Sequence, residues 1–136
     1  AVLQMSFAKA CSSVMPHKPF EGPLRAHLVF YFQRPKSHYR TGKYSHLLKP
    51  GAPTYHCGRK DLDNLVKFVL DALNAKVYVD DSQIVEIRSA KLYTNSDPRI
   101  EVGFEQLHPV VSVSNEWGCT ILLWAKIFII SLLLLC

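Results

Sequence analysis

The clearest pattern in the chain lies at residues 62–73, where Leu62, Leu65, Val66, Val69, Leu70 and Leu73 recur at i, i+3, i+4, i+7, i+8 and i+11. One apolar stripe at the helical period predicts an amphipathic helix. Its opposite side carries Asp63, Lys67, Asp71 and Asn74, and both Asp63 to Lys67 and Lys67 to Asp71 have the i, i+4 spacing of a surface ion pair. Residues 24–32, LRAHLVFYF, alternate and are rich in aromatic and branched side chains, which predicts a buried strand. Residues 84–93 and 100–107 read as two further strands; the turn signal Thr94-Asn-Ser-Asp-Pro98 between them predicts a hairpin. Ahead of these, residues 1–14 run without a breaker until Pro16 and Pro19 and suit the end of a helix. The order helix, strand, loop, helix, strand, strand means α+β.

Between the first strand and the central helix, residues 34–60 form a long polar and basic stretch interleaved with Tyr39, Tyr44 and Tyr55. Loops of that length in a small domain are functional or disordered. Basic side chains beside aromatics suit phosphate contact and base stacking.

Composition bounds the picture without changing it. A chain of 136 residues, 49% hydrophobic and 20% charged, suits one compact domain and excludes a disordered tail or a collagen. Charge is more informative. The net charge of +5 lies wholly before position 108, because the last 28 residues contain only Lys126 and Glu116. A basic domain of this size favours a polyanionic partner, nucleic acid first. Cys11, Cys57, Cys119 and Cys136 form no CxxC, which argues against a zinc ribbon or a dense disulfide framework and fits a reducing, cytoplasmic compartment. His46, His56 and Cys57 lack a fourth ligand at usable spacing and read as loop residues. No charged region precedes an apolar stretch at the N-terminus, so no signal peptide is predicted.

The segment from Ile121 to Cys136 is apolar except for Lys126 and Ser131. Its eleven Leu, Ile and Phe residues, at about −0.3 to −0.6 kcal/mol each, roughly offset or exceed a central Lys at about +2.5 to +3.5 kcal/mol. Membrane insertion is therefore marginal. The expectation is a domain over residues 1–108 followed by a tail, 109–136, that is an appendage foreign to the domain rather than a working anchor; anchoring and packing on the domain or a partner stay open as alternatives.

Candidate chemistry gathers around the central helix. Asp61 and Asp63 stand two apart where the loop meets the helix, and in extended backbone such side chains point the same way. Inside a helix they would diverge by about 200°, so a shared ion requires the junction. A second pair, Asp80 and Asp81, follows the helix. Carboxylate oxygens without His or Cys are the ligand set of Mg²⁺ or Mn²⁺. The ordinary reading of Asp61 or Asp63 is an N-cap or a first-turn acid favoured by the helix dipole, and Lys67 has its own ordinary reading as a solvated pair. An EF-hand fails, since Val66 stands where the loop needs Gly. A nucleotide-sugar transferase, which also uses DxD, needs a larger catalytic core than this chain offers.

The run RKDLDNLVKFVLDALNAKVYVDDSQIVEIRSAKLY, from Arg59 to Tyr93, resembles the RusA family of Holliday junction resolvases, whose signature is a D-x-D-N-L-x-K helix, then D-A-L, then D-D-x-Q-[IV] and a later Lys. The upstream PFEGPLRAHLVFYFQRPKSHY is similar to the strand preceding that signature in phage-type members, and the likeness covers roughly residues 15–107. The resemblance implies a small mixed β-sheet packed with two helices. It also implies a Mg²⁺-dependent endonuclease, with Mn²⁺ as an alternative ion, acting as a homodimer on four-way DNA junctions in recombination and repair, in a bacterium or as a prophage product. By position, the metal-binding acids fall on Asp61, Asp63 and Asp81, with Asp80 as a supporting acid, and the family's important lysine falls on Lys67. Phosphate contacts are expected from Arg34, Lys36, Arg40, Lys43, Arg59 and Lys60. Two departures stand out: the family's first strand is expected to be absent before Ala1, and the helix-ending Gly is here Ala75. A degenerate, inactive member that only binds nucleic acid is the competing reading.

Overall fold

The computed structural model describes residues 2–107 and 130–133. Helix α1, Val2–Cys11, and helix α2, Leu62–Leu73, pack on one face of a mixed sheet made of β1, Leu24–Gln33, β2, Ile84–Thr94, β3, Arg99–Gln106, and a short β4, Ile130–Leu133. The α+β class predicted from the pattern is the class observed. The sheet order is β2-β1-β3-β4, with β1 parallel to β2 and antiparallel to β3.

That order corrects one expectation. The strands at 84–93 and 100–107 do not form a hairpin, because β1 lies between them and pairs with both. Leu24, Ala26, Leu28 and Phe30 of β1 are wholly buried, and a strand this apolar buries most when it is paired on both edges. The turn after Thr94 need only step across one strand, roughly 9.6 Å at the spacing of a sheet. It is shaped locally: the Thr94 hydroxyl accepts from the Ser96 N–H at 3.1 Å.

Parallel pairing of β1 with β2 demands a crossover, and α2 supplies it. The predicted stripe faces the sheet, where Val69 and Leu73 are fully buried against β1 and against Ile100, Val102 and Phe104 of β3. Each such side chain contributes about 1.5–3 kcal/mol of burial. Residues 2–14 form a helix followed by a short turn, as expected, and α1 docks through Phe7, whose ring meets Phe68 of α2 edge-on at 5.8 Å. The Cys11 thiol lies beneath it, pushed up to about 11 by burial, and belongs to the core.

The opposite face of the sheet is polar. Arg25 sits between Glu86 at 2.8 Å and Glu105 at 2.7 Å and holds both carboxyls below the usual glutamate range. Arg99 pairs with Glu101 at 2.8 Å and covers the Tyr31 ring at 3.9 Å. A mixed sheet of this kind keeps one face for the core and one for water.

Within the stretch expected as a tail, Ile130–Leu133 adds to the free edge of β3, from Arg99 opposite Leu133 to Val102 opposite Ile130. The boundary expected at residue 108, and the rest of the apolar segment on which the anchor reading rests, lie outside the described residues. Among the described residues no helix is long and apolar enough to cross a membrane.

Helix α2 ends at Leu73 with Asn74 as its C-cap, and the next residue is Ala75, where the resemblance leads one to expect Gly. Ala75 has φ 62°, the left-handed region that a Cβ disfavours. Ala75→Gly is therefore expected to raise stability by about 1 kcal/mol, read as a higher denaturation midpoint with unchanged slope. A lower midpoint would show that the exposed methyl is needed where it stands.

Candidate active site

Asp61 is the N-cap of α2, in extended backbone at φ −72° and ψ 131°, and its carbonyl accepts the first helical bond from Leu65 N–H at 3.2 Å. Its carboxylate makes no capping hydrogen bond. The helix thus begins with Leu62, so Asp63 is already turned by the helical rotation. Asp63 lines an open cleft of about 810 Å³ between α2 and β2, together with Lys67, Asp71 and Asp81. Asp61 lines a neighbouring depression with Arg59, Lys60, Asn64, Leu65 and Phe68. The structure brings Asp63, Lys67 and Asp81 together and sets Asp61 beside them, across the start of the helix.

The floor of the cleft is apolar, formed by Leu62, Val66 and Leu70 of α2 and by Ile84 and Ile87 of β2. The charged groups stand on its rim, exposed. The surface pairs expected from the i, i+4 spacing are not closed. Among the described residues the ion pairs lie on the outer sheet face, and none joins Lys67 to Asp63 or Asp71. The side chains on the cleft rim are therefore not spent on one another.

Asp80 is different. It caps the turn Asp81–Gln83, accepting from the Ser82 N–H at 3.1 Å and from the Ser82 hydroxyl, and these bonds hold its carboxyl below the usual range. Its role in the structure is to shape the turn that presents Asp81.

Gln83 completes that turn, a part that sequence reasoning left without a role. Its Oε1 accepts from the N–H groups of Val79 at 2.8 Å and Asp80 at 2.9 Å, while its Nε2 donates to the carbonyls of Phe20 at 2.8 Å and Gly22 at 2.9 Å. One side chain ties the Asp80-Asp81 turn to the segment entering β1. Tyr78, buried in the core, reinforces the same connection by donating its hydroxyl to the Leu70 carbonyl at 2.5 Å. The only signal for Gln83 in the sequence was its place in the motif. Asp71, likewise, carried the signal of a helix-face acid and stands in the cleft.

The long basic stretch is tied to itself and to β2 by backbone pairs. Tyr39 bridges to Leu48, and Tyr55 bridges to Leu92 on the outer edge of β2, with His56 N–H donating to the Lys91 carbonyl at 3.0 Å. His56 stacks on Phe32 at 4.0 Å between ring centroids, and burial followed by the charge of Lys91 lowers its pKa. Lys36, Arg40, Lys43, Arg59 and Lys60 are exposed. Arg34 is half-buried; its Nε donates to Asn95 Oδ1 at 3.0 Å, its Nη1 donates to the Pro53 carbonyl at 2.5 Å, and its guanidinium lies 5.5 Å from the Tyr93 ring centre. Its donors serve the loop.

Residues 4–105 match the family described as endodeoxyribonuclease RusA. The chain belongs to the RusA endodeoxyribonuclease family. The "Uncharacterized protein YqaN" of Bacillus subtilis (strain 168) is 36% identical over 97 residues, which are 70% of this chain and 66% of that protein. The chain thus spans just under two thirds of that relative's length. No solved structure matches.

Among the described residues no three His, Cys, Asp or Glu side chains stand close enough to enclose a metal ion. The donor set nevertheless fits Mg²⁺, which is held through one or two carboxylates and completes its shell with water and phosphate oxygens. Asp63 and Asp81 on one cleft meet that description.

Gln83→Met keeps the length of the side chain and removes all four hydrogen bonds. It should lower stability by about 1–3 kcal/mol, read by thermal or urea unfolding. A change of only a few tenths would mean that water replaces the amide at no cost.

Proposed function

We propose that this RusA-family chain is a Mg²⁺-dependent endodeoxyribonuclease that resolves Holliday junctions, acting as a homodimer, with Mn²⁺ able to replace Mg²⁺. The observation that carries the reading is the cleft on which Asp63, Lys67 and Asp81 converge with their charges unspent. Asp63 and Asp81 hold the ion, and Asp61, one residue before the helix, joins them from the adjoining depression. A bound divalent cation supplies Lewis-acid polarisation of the scissile phosphate and a more acidic water. Lys67, one turn along α2 from Asp63, offsets the negative charge that grows on the phosphate oxygens as water adds to phosphorus and the P–O bond breaks.

The exposed Lys36, Arg40, Lys43, Arg59 and Lys60 hold the backbone of the DNA. Such contacts give affinity and orientation without reading sequence. A two-fold dimer presents two identical clefts, which suits paired nicks in a junction of matching symmetry. This chemistry belongs to recombination and repair in the cytoplasm.

One observation favours a second reading, binding without cleavage. Asp61 stands outside the cleft of Asp63 and Asp81, and no trio of acids closes among the described residues. Nicking of a synthetic four-way junction with Mg²⁺, beside a linear duplex and an EDTA control, separates the two. Mg²⁺-dependent nicks in the junction are expected; binding with no cleavage at any Mg²⁺ concentration would establish the second reading.

Asp81→Asn preserves shape and removes one charge from the ion's seat. Cleavage should collapse while junction binding survives or tightens, because less negative charge faces the phosphates. Near-normal cleavage would sink the assignment of Asp81.

For Lys67→Ala, single-turnover cleavage at saturating protein should fall by about 10²-fold or more, with junction affinity reduced much less, because the interaction strengthens as charge builds. Lys67→Arg should recover part of the rate, since a guanidinium places its donors differently. An Ala variant at wild-type rate would leave Lys67 as a helix-surface residue.

A further inference from the structure

Lys91 lies on β2 opposite Phe30 of β1, so the sheet register turns its side chain to the helix-bearing face. It is half-buried, and its ammonium donates to the carbonyls of Gly58 at 3.3 Å and Lys60 at 2.5 Å. Among the described residues it forms no ion pair. A partly desolvated ammonium needs its donors satisfied, and here two backbone carbonyls do so. Residue 91 grips the chain twice, because its own carbonyl accepts from the His56 N–H at 3.0 Å. Between these two grips, His56 Nδ1 accepts from the Gly58 N–H at 3.3 Å and closes the turn.

The segment so held, residues 56–60, is the one that delivers Asp61 to the start of α2. Gly58, Arg59, Lys60 and Asp61 are all exposed, and no other side chain among the described residues bonds the carbonyls of residues 58 and 60. Asp61 stands in a depression beside the main cleft, so its reach toward Asp63 and Asp81 depends on the path of the three residues before it. We propose that Lys91 is a positioning residue: by holding the carbonyls of Gly58 and Lys60 it fixes the entry into α2, and with it the Asp61 carboxylate and the Arg59-Lys60 pair. The inference rests on the proposed reading of Asp61 as a metal ligand.

The alternative role for a lysine in a nuclease is a direct phosphate contact, and the two roles differ in sign. Removing a positive charge near a cation's seat tightens a divalent ion if charge alone matters. Losing the clamp loosens it, because the ligand's backbone is freed. Lys91→Met keeps the stem and removes the donors; Lys91→Arg keeps donors that reach two carbonyls. Mn²⁺ binding to the full chain without DNA, followed by electron paramagnetic resonance, gives a readout apart from cleavage. In Lys91→Met the Mn²⁺ dissociation constant should rise by roughly tenfold, the low end of what outer partners of a metal ligand contribute. Amide hydrogen exchange at residues 59–62 should accelerate, and Lys91→Arg should recover part of both.

Mn²⁺ affinity equal to or tighter than wild type in Lys91→Met, with unchanged exchange at residues 59–62, would overturn the proposal. So would a loss confined to junction affinity with a smaller salt slope, which marks a phosphate contact. Asp61→Asn keeps the two failures apart. If it binds Mn²⁺ as wild type does, the ligand assignment beneath the proposal falls. If it weakens Mn²⁺ while Lys91→Met does not, Lys91 alone is overturned.

Discussion

The parallel pairing of β1 with β2 is the constraint on which the rest of this molecule depends. Two parallel neighbours cannot be joined by a tight turn, so the chain must leave the sheet, cross one face and return. Everything of functional interest lies on that excursion or at its two ends. The basic stretch at 34–60 uses the outward leg, α2 the crossing, and the Asp80-Asp81 turn the return. Because α2 then lies against the face of β1 that carries Leu24, Ala26, Leu28 and Phe30, one flank of it borders the edge strand β2 across an open cleft.

The crossover needs fastening at both ends, since loops otherwise cost conformational entropy that nothing repays. At the entry, β2 holds residues 54–60 through backbone bonds to Lys91 and Tyr93 and through the Lys91 ammonium. At the exit, Gln83 and Tyr78 fix the return, with Ala75 held in a backbone conformation its methyl disfavours. A left-handed Ala between two well-bonded segments shows that the turn is imposed by its surroundings rather than by local preference. The Asp81 carboxylate gains its place from this turn, whose backbone is held by the Ile84 N–H on the Asp81 carbonyl, and among the described residues it makes no hydrogen bond itself.

Charge is sorted along the same path. In a chain with net +5, Asp63, Asp71 and Asp81, unpaired among the described residues, share a single rim with Lys67, while the exposed Lys36, Arg40, Lys43, Arg59 and Lys60 stand on the loop side of the crossover. The ion pairs that do form are on the far face, around Arg25 and Arg99. Acids left unneutralised in a basic protein repel a polyanion unless a cation sits among them, and this is the electrostatic content of the proposed metal dependence.

The sequence by itself determined the elements. The 3.6-residue stripe from Leu62 to Leu73, the alternation at residues 24–32 and the branched runs at 84–93 and 100–107 each report which side of a segment must leave water, and the observed helix and strands fall there because burial is local information. It also named the acids and the lysine, since a motif is a matter of residue type and spacing. Which strands pair was decided only in three dimensions: the turn at 94–98 looks like a hairpin from within, but the competition for both edges of β1 is settled by contacts distant in sequence. The same holds for the site. A single residue, Leu62, separates Asp61 from Asp63, yet a helix that begins between them turns the second into the cleft and leaves the first outside. Asp80 and Asp81 are adjacent, yet one is consumed as a cap and the other is presented. Spacing fixes how far apart side chains are along the chain; the rotation of the backbone and the partners each oxygen finds fix where they point.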